Sequence, residues 1–87
     1  MNDPLDKDVA PGIVTNPARM GGRPTIAGTR ITVERILSML AANYTFDDIL
    51  RAYPHLTHDR IRDAINYAEQ LVHDQTPTAA GSAEVDW

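Results

Sequence analysis

Cysteine is absent from these 87 residues. That excludes a disulfide framework and any thiolate metal site, and it fits a chain working in a reducing compartment. Long apolar runs are missing too, so no segment reads as a membrane span. The opening "MNDPLDKD" lacks the basic start and apolar stretch of a signal peptide. The expectation is a cytoplasmic protein with no membrane partner. Glycine is scarce, and three of the five glycines fall within residues 21–28. So short a chain, with so little glycine elsewhere, has little room for an enclosed substrate pocket. What remains is one small domain, 43% apolar, near the size where a single core just suffices.

Basic residues are also few, eight against twelve acidic ones, for a formal net charge of −4. Half of them gather in one segment. Arg19, Arg23, Arg30 and Arg35 lie within seventeen residues and meet only Glu34, a local charge of +3. Both ends are acidic, through Asp3, Asp6 and Asp8 before this segment and Asp74, Glu84 and Asp86 after it. Such asymmetry points to two different partners, although short-range compensation can scatter charges in the same way.

In chain order, residues 1–12 read as a flexible leader, with Pro4, Pro11 and Gly12 among aspartates. Ile13-Val14-Thr15 is a β-branched run closed by Asn16-Pro17, a brief strand and then a turn. Thr25-Ile26 and Thr29-Arg30-Ile31 flank Ala27-Gly28, which suggests a tight reversal with Gly28 at positive φ. From Thr32 the period becomes helical. Val33, Ile36, Leu37 and Leu40 follow at i, i+3, i+4 and i+7, with Thr32 as N-cap. Asn43 can end that helix in the left-handed region. Thr45 caps a second helix, with Asp48 as capping-box partner, and Pro54 stops it. Thr57 caps a third, whose stripe is Ile61, Ala64, Ile65, Ala68, Leu71 and Val72.

The spacing therefore predicts helices near 33–42, 46–53 and 58–73, with one or two short strands before residue 32. The fold class is mainly α, a three-helix domain over residues 13–73 followed by a mobile tail over 74–87. Ile36, Leu40, Ile49, Leu50, Ile61, Ile65 and Leu71 should form the core. The second and third helices have the proportions of a helix-turn-helix.

"GGRPTIAGTRITVERIL", then "AYPHLT", then "AINYA" resemble the small bacterial family known as domain of unknown function 433. That family's pattern runs Gly-x-Pro-x-Ile-x-Gly-Thr-Arg-Ile, a helix, Tyr-Pro-x-Leu-Thr, and Ala-x-x-Tyr-Ala. Here it falls on Gly22, Pro24, Ile26, Gly28 to Ile31, Tyr53, Pro54, Leu56, Thr57, Ala64, Tyr67 and Ala68. The match spans roughly Ile13 to Val72, with Asn43 where a glycine is usual. The resemblance implies a VapB-like helix-turn-helix antitoxin of a type II toxin–antitoxin system. Such a protein binds a toxin, often a PIN-like nuclease, and represses its own operon, usually as a homodimer.

In a helix-turn-helix the N-terminal half of the last helix faces base edges. That nominates Thr57, His58, Asp59, Arg62 and Asn66, of which Arg62 can read guanine and Asn66 adenine by two-pronged hydrogen bonds. An ordinary solvated face, with Asp59 and Asp63 balancing Arg60 and Arg62, is the competing reading. Arg30 beside the Gly28 turn can meet a phosphate or pair with an acid such as Asp63. Arg23 can clamp the DNA backbone, and Arg19 or Arg23 can reach into an acidic toxin cleft. Val85 and Trp87, at the end of the polar tail, are the candidate toxin anchors.

His55, His58 and His73 lack the spacing of a metal site, so no metal is expected. Gly21 to Pro24 lacks the Lys-Ser/Thr ending and preceding strand of a nucleotide loop, and no cofactor is expected. No nucleophile–base set stands out, so an enzyme is the least favoured reading. Two classes compete: a DNA-binding antitoxin and transcriptional repressor, and a helical module that neutralises a partner or dimerises without touching DNA.

Overall fold

The computed structural model describes residues 4–75. Three short strands, β1 (Lys7–Ala10), β2 (Ile13–Thr15) and β3 (Thr25–Ile26), are followed by three helices, α1 (Val33–Ala41), α2 (Phe46–Ala52) and α3 (His58–Gln75). The strands form one antiparallel sheet in the order β1-β2-β3. Roughly half of the described chain is helical, so the fold is mixed, three helices with a small N-terminal sheet, rather than mainly α.

The helix bounds follow from their caps. The Thr32 hydroxyl accepts from the Arg35 N–H at 2.9 Å, and the Thr45 hydroxyl accepts from the Asp48 N–H at 3.1 Å. Asp48 returns the bond, accepting from the Thr45 N–H at 2.9 Å, so the capping box read from the sequence is complete. That backbone donor, together with the Arg51 guanidinium, holds the Asp48 carboxyl below the usual aspartate range. A lowered carboxyl favours the fold above its ordinary pKa, and that support fades as acid protonates it. The Thr57 hydroxyl accepts from the Arg60 N–H at 3.2 Å and starts α3. Asn43 ends α1 at φ +73°, the left-handed position at which the family pattern has glycine.

The sheet differs from the expectation of one or two strands. The stretch read as a loose leader holds β1, which pairs with β2 through Lys7–Thr15, Asp8–Val14 and Ala10–Ile13, with a bulge between Asp8 and Ala10. Lys7-Asp8-Val9-Ala10 has no alternation of apolar and polar residues to announce a strand, and its neighbour supplies the reason to be extended. β2 pairs with β3 in the register Ile13–Ile26 and Val14–Thr25. The reversal after β3 is as expected: Gly28 has φ +78°, and Ile26 donates to the Ile31 carbonyl at 2.9 Å. Thr29 bonds locally, its hydroxyl donating to the Ile26 carbonyl at 2.8 Å and accepting from the Ile31 N–H at 3.0 Å.

α3 is the hub of the domain, packing against α1, α2, β2 and β3. Ile13, Ile26, Ile36, Ile49, Ile61 and Ala64 are fully or almost fully buried around it, joined by Val33, Met39 and Leu56. Of the core residues expected from the helical stripes, Ile36, Ile49 and Ile61 are buried, while Leu40, Leu50 and Ile65 are partly buried against them. Leu71 is a correction: it is 42% exposed, because α3 runs beyond the elements that cover it.

The turn between β1 and β2 touches α3 at Gly12, which has φ +76°. A Cβ on Gly12 would run into the Asp63 carboxylate and the Arg60 guanidinium, whereas one on Gly28 would meet nothing. Gly28→Ala is therefore expected to cost about 1–2 kcal/mol of backbone strain alone. Gly12→Ala should cost that and more, with urea midpoints as the measure. A Gly12→Ala midpoint above that of Gly28→Ala would contradict this order, since turning the Arg60 and Asp63 side chains aside gains nothing.

Candidate nucleic-acid and partner interfaces

α2 and α3 are joined through Tyr53–Thr57, with Pro54 barring any continuation of α2. Leu56 fixes the turn by burying its side chain in the core. The first half of α3 then presents His58, Arg62 and Asn66, all exposed, with exposed Thr57 at its cap. These four nominated residues share one stretch of surface.

Their local partners are acidic. Arg62 is paired with Asp59, and Arg60 with Asp63 at 3.2 Å, each three residues apart on the helix. His58 Nε2 lies 3.7 Å from Asp47 Oδ1 on α2, and its ring meets Phe46 edge-on at 5.5 Å. Asn66 borders a shallow hollow with Ala10, Pro11, Asp63, Tyr67 and Gln70, so the β1–β2 turn flanks the end of this surface.

The arginines of the basic segment do not gather at one place. Arg23, 65% exposed, bonds Glu34 on α1 at 3.3 Å and lies beside Leu71 and Val72. That is more than three turns of α3 from His58, roughly 20 Å along the helix. Arg35 donates from Nε to the Tyr53 hydroxyl at 3.4 Å and ties α1 to the end of α2. Arg19 is mostly covered and pairs with Asp6 at 3.4 Å. Arg30 is exposed in the turn before α1 and has no charged partner among the described residues. The alternative in which Arg30 pairs with Asp63 is not realised, since Arg60 takes that carboxylate. Val85 and Trp87 lie outside the described residues.

Two features escaped the sequence reading. Asn16 is buried at 1% exposure; its Nδ2 donates to Asp6 Oδ1 at 2.9 Å, and its Oδ1 accepts from the Ala18 N–H at 2.8 Å. The Asn-Pro pair signalled a turn, but nothing in it announced the partner ten residues earlier. The second is an apolar groove of about 430 Å³ between α1 and α3, lined by Val33, Leu37, Ala68, Leu71 and Val72. Its signal was available: α3 has eighteen residues and α1 only nine, so α1 cannot cover the whole stripe. Among the described residues no group of acidic and histidine side chains could hold a metal ion, and no helix is long and apolar enough to cross a membrane.

The model of the family described as "Protein of unknown function (DUF433)" matches residues 13–68, from β2 to the middle of α3. The chain belongs to this family. The matched stretch contains β2, β3, α1, α2 and the first half of α3, and stops before Leu71 and Val72. Two relatives, both described as uncharacterized, extend the comparison. One is protein y4eO of Sinorhizobium fredii, 35% identical over 57 residues, covering 66% of this chain and 26% of that protein. Another is protein Rv2308 of Mycobacterium tuberculosis, 36% identical over 67 residues, covering 77% of this chain and 27% of that one. The chain thus spans about a quarter of the length of these curated relatives. No solved structure matches it.

Proposed function

We propose that this DUF433 chain is a cytoplasmic, DNA-binding antitoxin, which neutralises a toxin and represses its own operon through α2 and α3. One observation carries the DNA half of this reading. Two helices joined by a short link, α2 and α3, leave Thr57, His58, Arg62 and Asn66 exposed along the first half of the second, where a helix-turn-helix would meet base edges.

The acidic partners on α3 are weak competitors. Arg62 and Asp59 are 56% and 84% exposed, and pairs so open to water contribute about 0–1 kcal/mol. A two-pronged bond from Arg62 to guanine discriminates by about 1–3 kcal/mol, enough to draw the guanidinium from Asp59. Arg30, exposed and without a charged partner among the described residues, suits a phosphate. In the toxin half of the reading, a PIN-like ribonuclease is the expected partner. Val85 and Trp87 are the proposed anchors; Arg19, already engaged with Asp6, would have to exchange that carboxylate for one on the toxin.

A second reading has its own support. Every arginine on α3 faces an acid, and the groove beside α1 is apolar, which suits a protein-binding module with no DNA contact. Gel shifts with the chain's own promoter at two salt concentrations separate the two. Under the DNA reading, Arg62→Ala loses about 1–3 kcal/mol and relaxes preference at one base position. Arg30→Ala weakens all sequences alike and lowers the salt slope by about one. Promoter binding that ignores both substitutions, or no binding at low salt, leaves the interaction module as the function.

A further inference from the structure

The apolar stripe of α3 continues past the point where the core ends. Ala64 is buried and Ala68 partly buried, yet Leu71, three residues beyond Ala68 on the same face, keeps 42% of its surface open. With Val72, and with Val33 and Leu37 of α1, these residues line the groove of about 430 Å³. Its rim selects no partner by charge, because Arg23 and Glu34 already bond each other at 3.3 Å. Size, reach and apolar chemistry have to choose the occupant.

A handful of apolar side chains falls well short of the roughly 20–30 residues a side in a standard protein–protein interface, so the groove suits a short segment. One is at hand. The described chain ends at Gln75, four residues past Leu71, so the segment that follows starts about 6–10 Å from the groove along α3. Residues 76–84, Thr-Pro-Thr-Ala-Ala-Gly-Ser-Ala-Glu, are small or polar, and Val85 and Trp87 are the two large apolar side chains after Val72. A linker of that length and composition has a root-mean-square span of about 15–18 Å, which comfortably covers the distance. Tethering of this kind holds a ligand at an effective concentration on the order of millimolar, an advantage that no separate molecule shares. Ala68, with only a methyl group, leaves depth for a flat indole, and Leu37 and Leu71 supply apolar walls. We infer that residues 85–87 fold back into the α1–α3 groove of their own chain, with the Trp87 indole against Ala68 and Leu71. The toxin reading gives Val85 and Trp87 to a partner; in the free chain this groove holds them until a partner draws them out. The inference does not depend on that reading, because the chain is tested alone.

Trp87 is the sole tryptophan, so its fluorescence reports the contact directly. In the full chain, without DNA or partner, emission should lie to the blue of the same chain in urea, and acrylamide should quench it less. Leu71→Asp should shift emission to the red by most of that difference with unchanged helical circular dichroism, since the site is half exposed. Val72→Asp, at 66% exposure, should act in the same direction with still less strain on the fold, and Leu71→Met should keep the parent's emission. A parent whose emission already matches the chain in urea overturns the inference. So does blue emission that survives both aspartate variants, because the indole is then covered elsewhere. Mixing separates a second copy as holder: an excess of chain carrying Leu71→Asp and Trp87→Phe together should leave the parent's emission untouched. A red shift in that mixture overturns the inference in favour of a contact between chains.

Discussion

Ile61→Ala should lower the stability of this domain by about 2–5 kcal/mol, a large share of the 5–15 kcal/mol that a folded domain commonly holds. Ile61 is fully buried on the helix that touches α1, α2 and the sheet, so no single neighbour can move in to fill the space. Removing three carbons there forfeits both the transfer of the side chain from water and its contacts, and the surrounding elements are held apart by one another. For a domain of this size each kcal/mol moves the melting point by about 4–8 °C, so the variant should melt at least about 8 °C below the parent. Leu71→Ala on the same helix is the control. It sits at 42% exposure and should cost well under half as much. Equal losses at the two sites would mean that the face of α3 assigned to the core is wrong.

Asn16→Ala should cost about 1–3 kcal/mol although it removes a polar side chain. The residue is almost wholly buried and satisfies two groups at once, the Ala18 N–H and the Asp6 carboxylate. Alanine leaves both to find other partners in a place that water enters poorly. Among the described residues Asp6 then keeps Arg19 as its partner, and β1 begins at the next residue. Amide exchange at residues 7–10 should accordingly quicken more than exchange in α3. Asn16→Asp tests the same contact by charge, putting a carboxylate against the Asp6 carboxylate. Repulsion raises the pKa of the pair in the folded state, so this variant should recover stability as the pH falls through that range. A deficit independent of pH would show that the two side chains do not meet.

The helices were legible because each is announced several times over. Thr32, Thr45 and Thr57 cap them, Asn43 and Pro54 stop them, and the apolar residues between recur at the helical period. Local chemistry of that kind needs no knowledge of distant residues. Ile13-Val14-Thr15 was readable as a strand for the same reason, through its β-branched run. β1 was not, since Lys7-Asp8-Val9-Ala10 is extended only because β2 offers it a ladder. Thr57, His58, Arg62 and Asn66 do share one exposed stretch at the start of α3, whereas Arg23 and Arg30, nominated with them, lie before α1. Spacing suggested that acids three residues away would balance Arg60 and Arg62, and it could not say that Asp63 was therefore lost to Arg30.

By itself, then, the sequence determined three capped amphipathic helices, the left-handed turns at Gly28 and Asn43, the family pattern and a basic segment in an acidic chain. All of these rest on neighbours within a few residues. Tertiary structure alone decided that Arg19, Arg23 and Arg35 go to three separate partners, that Asn16 is a buried clasp, and that Leu71 leaves the core. Each of those depends on groups ten or more residues apart. A helical period marks which side of α3 is apolar, and only the length of α1 decides how much of that side finds cover.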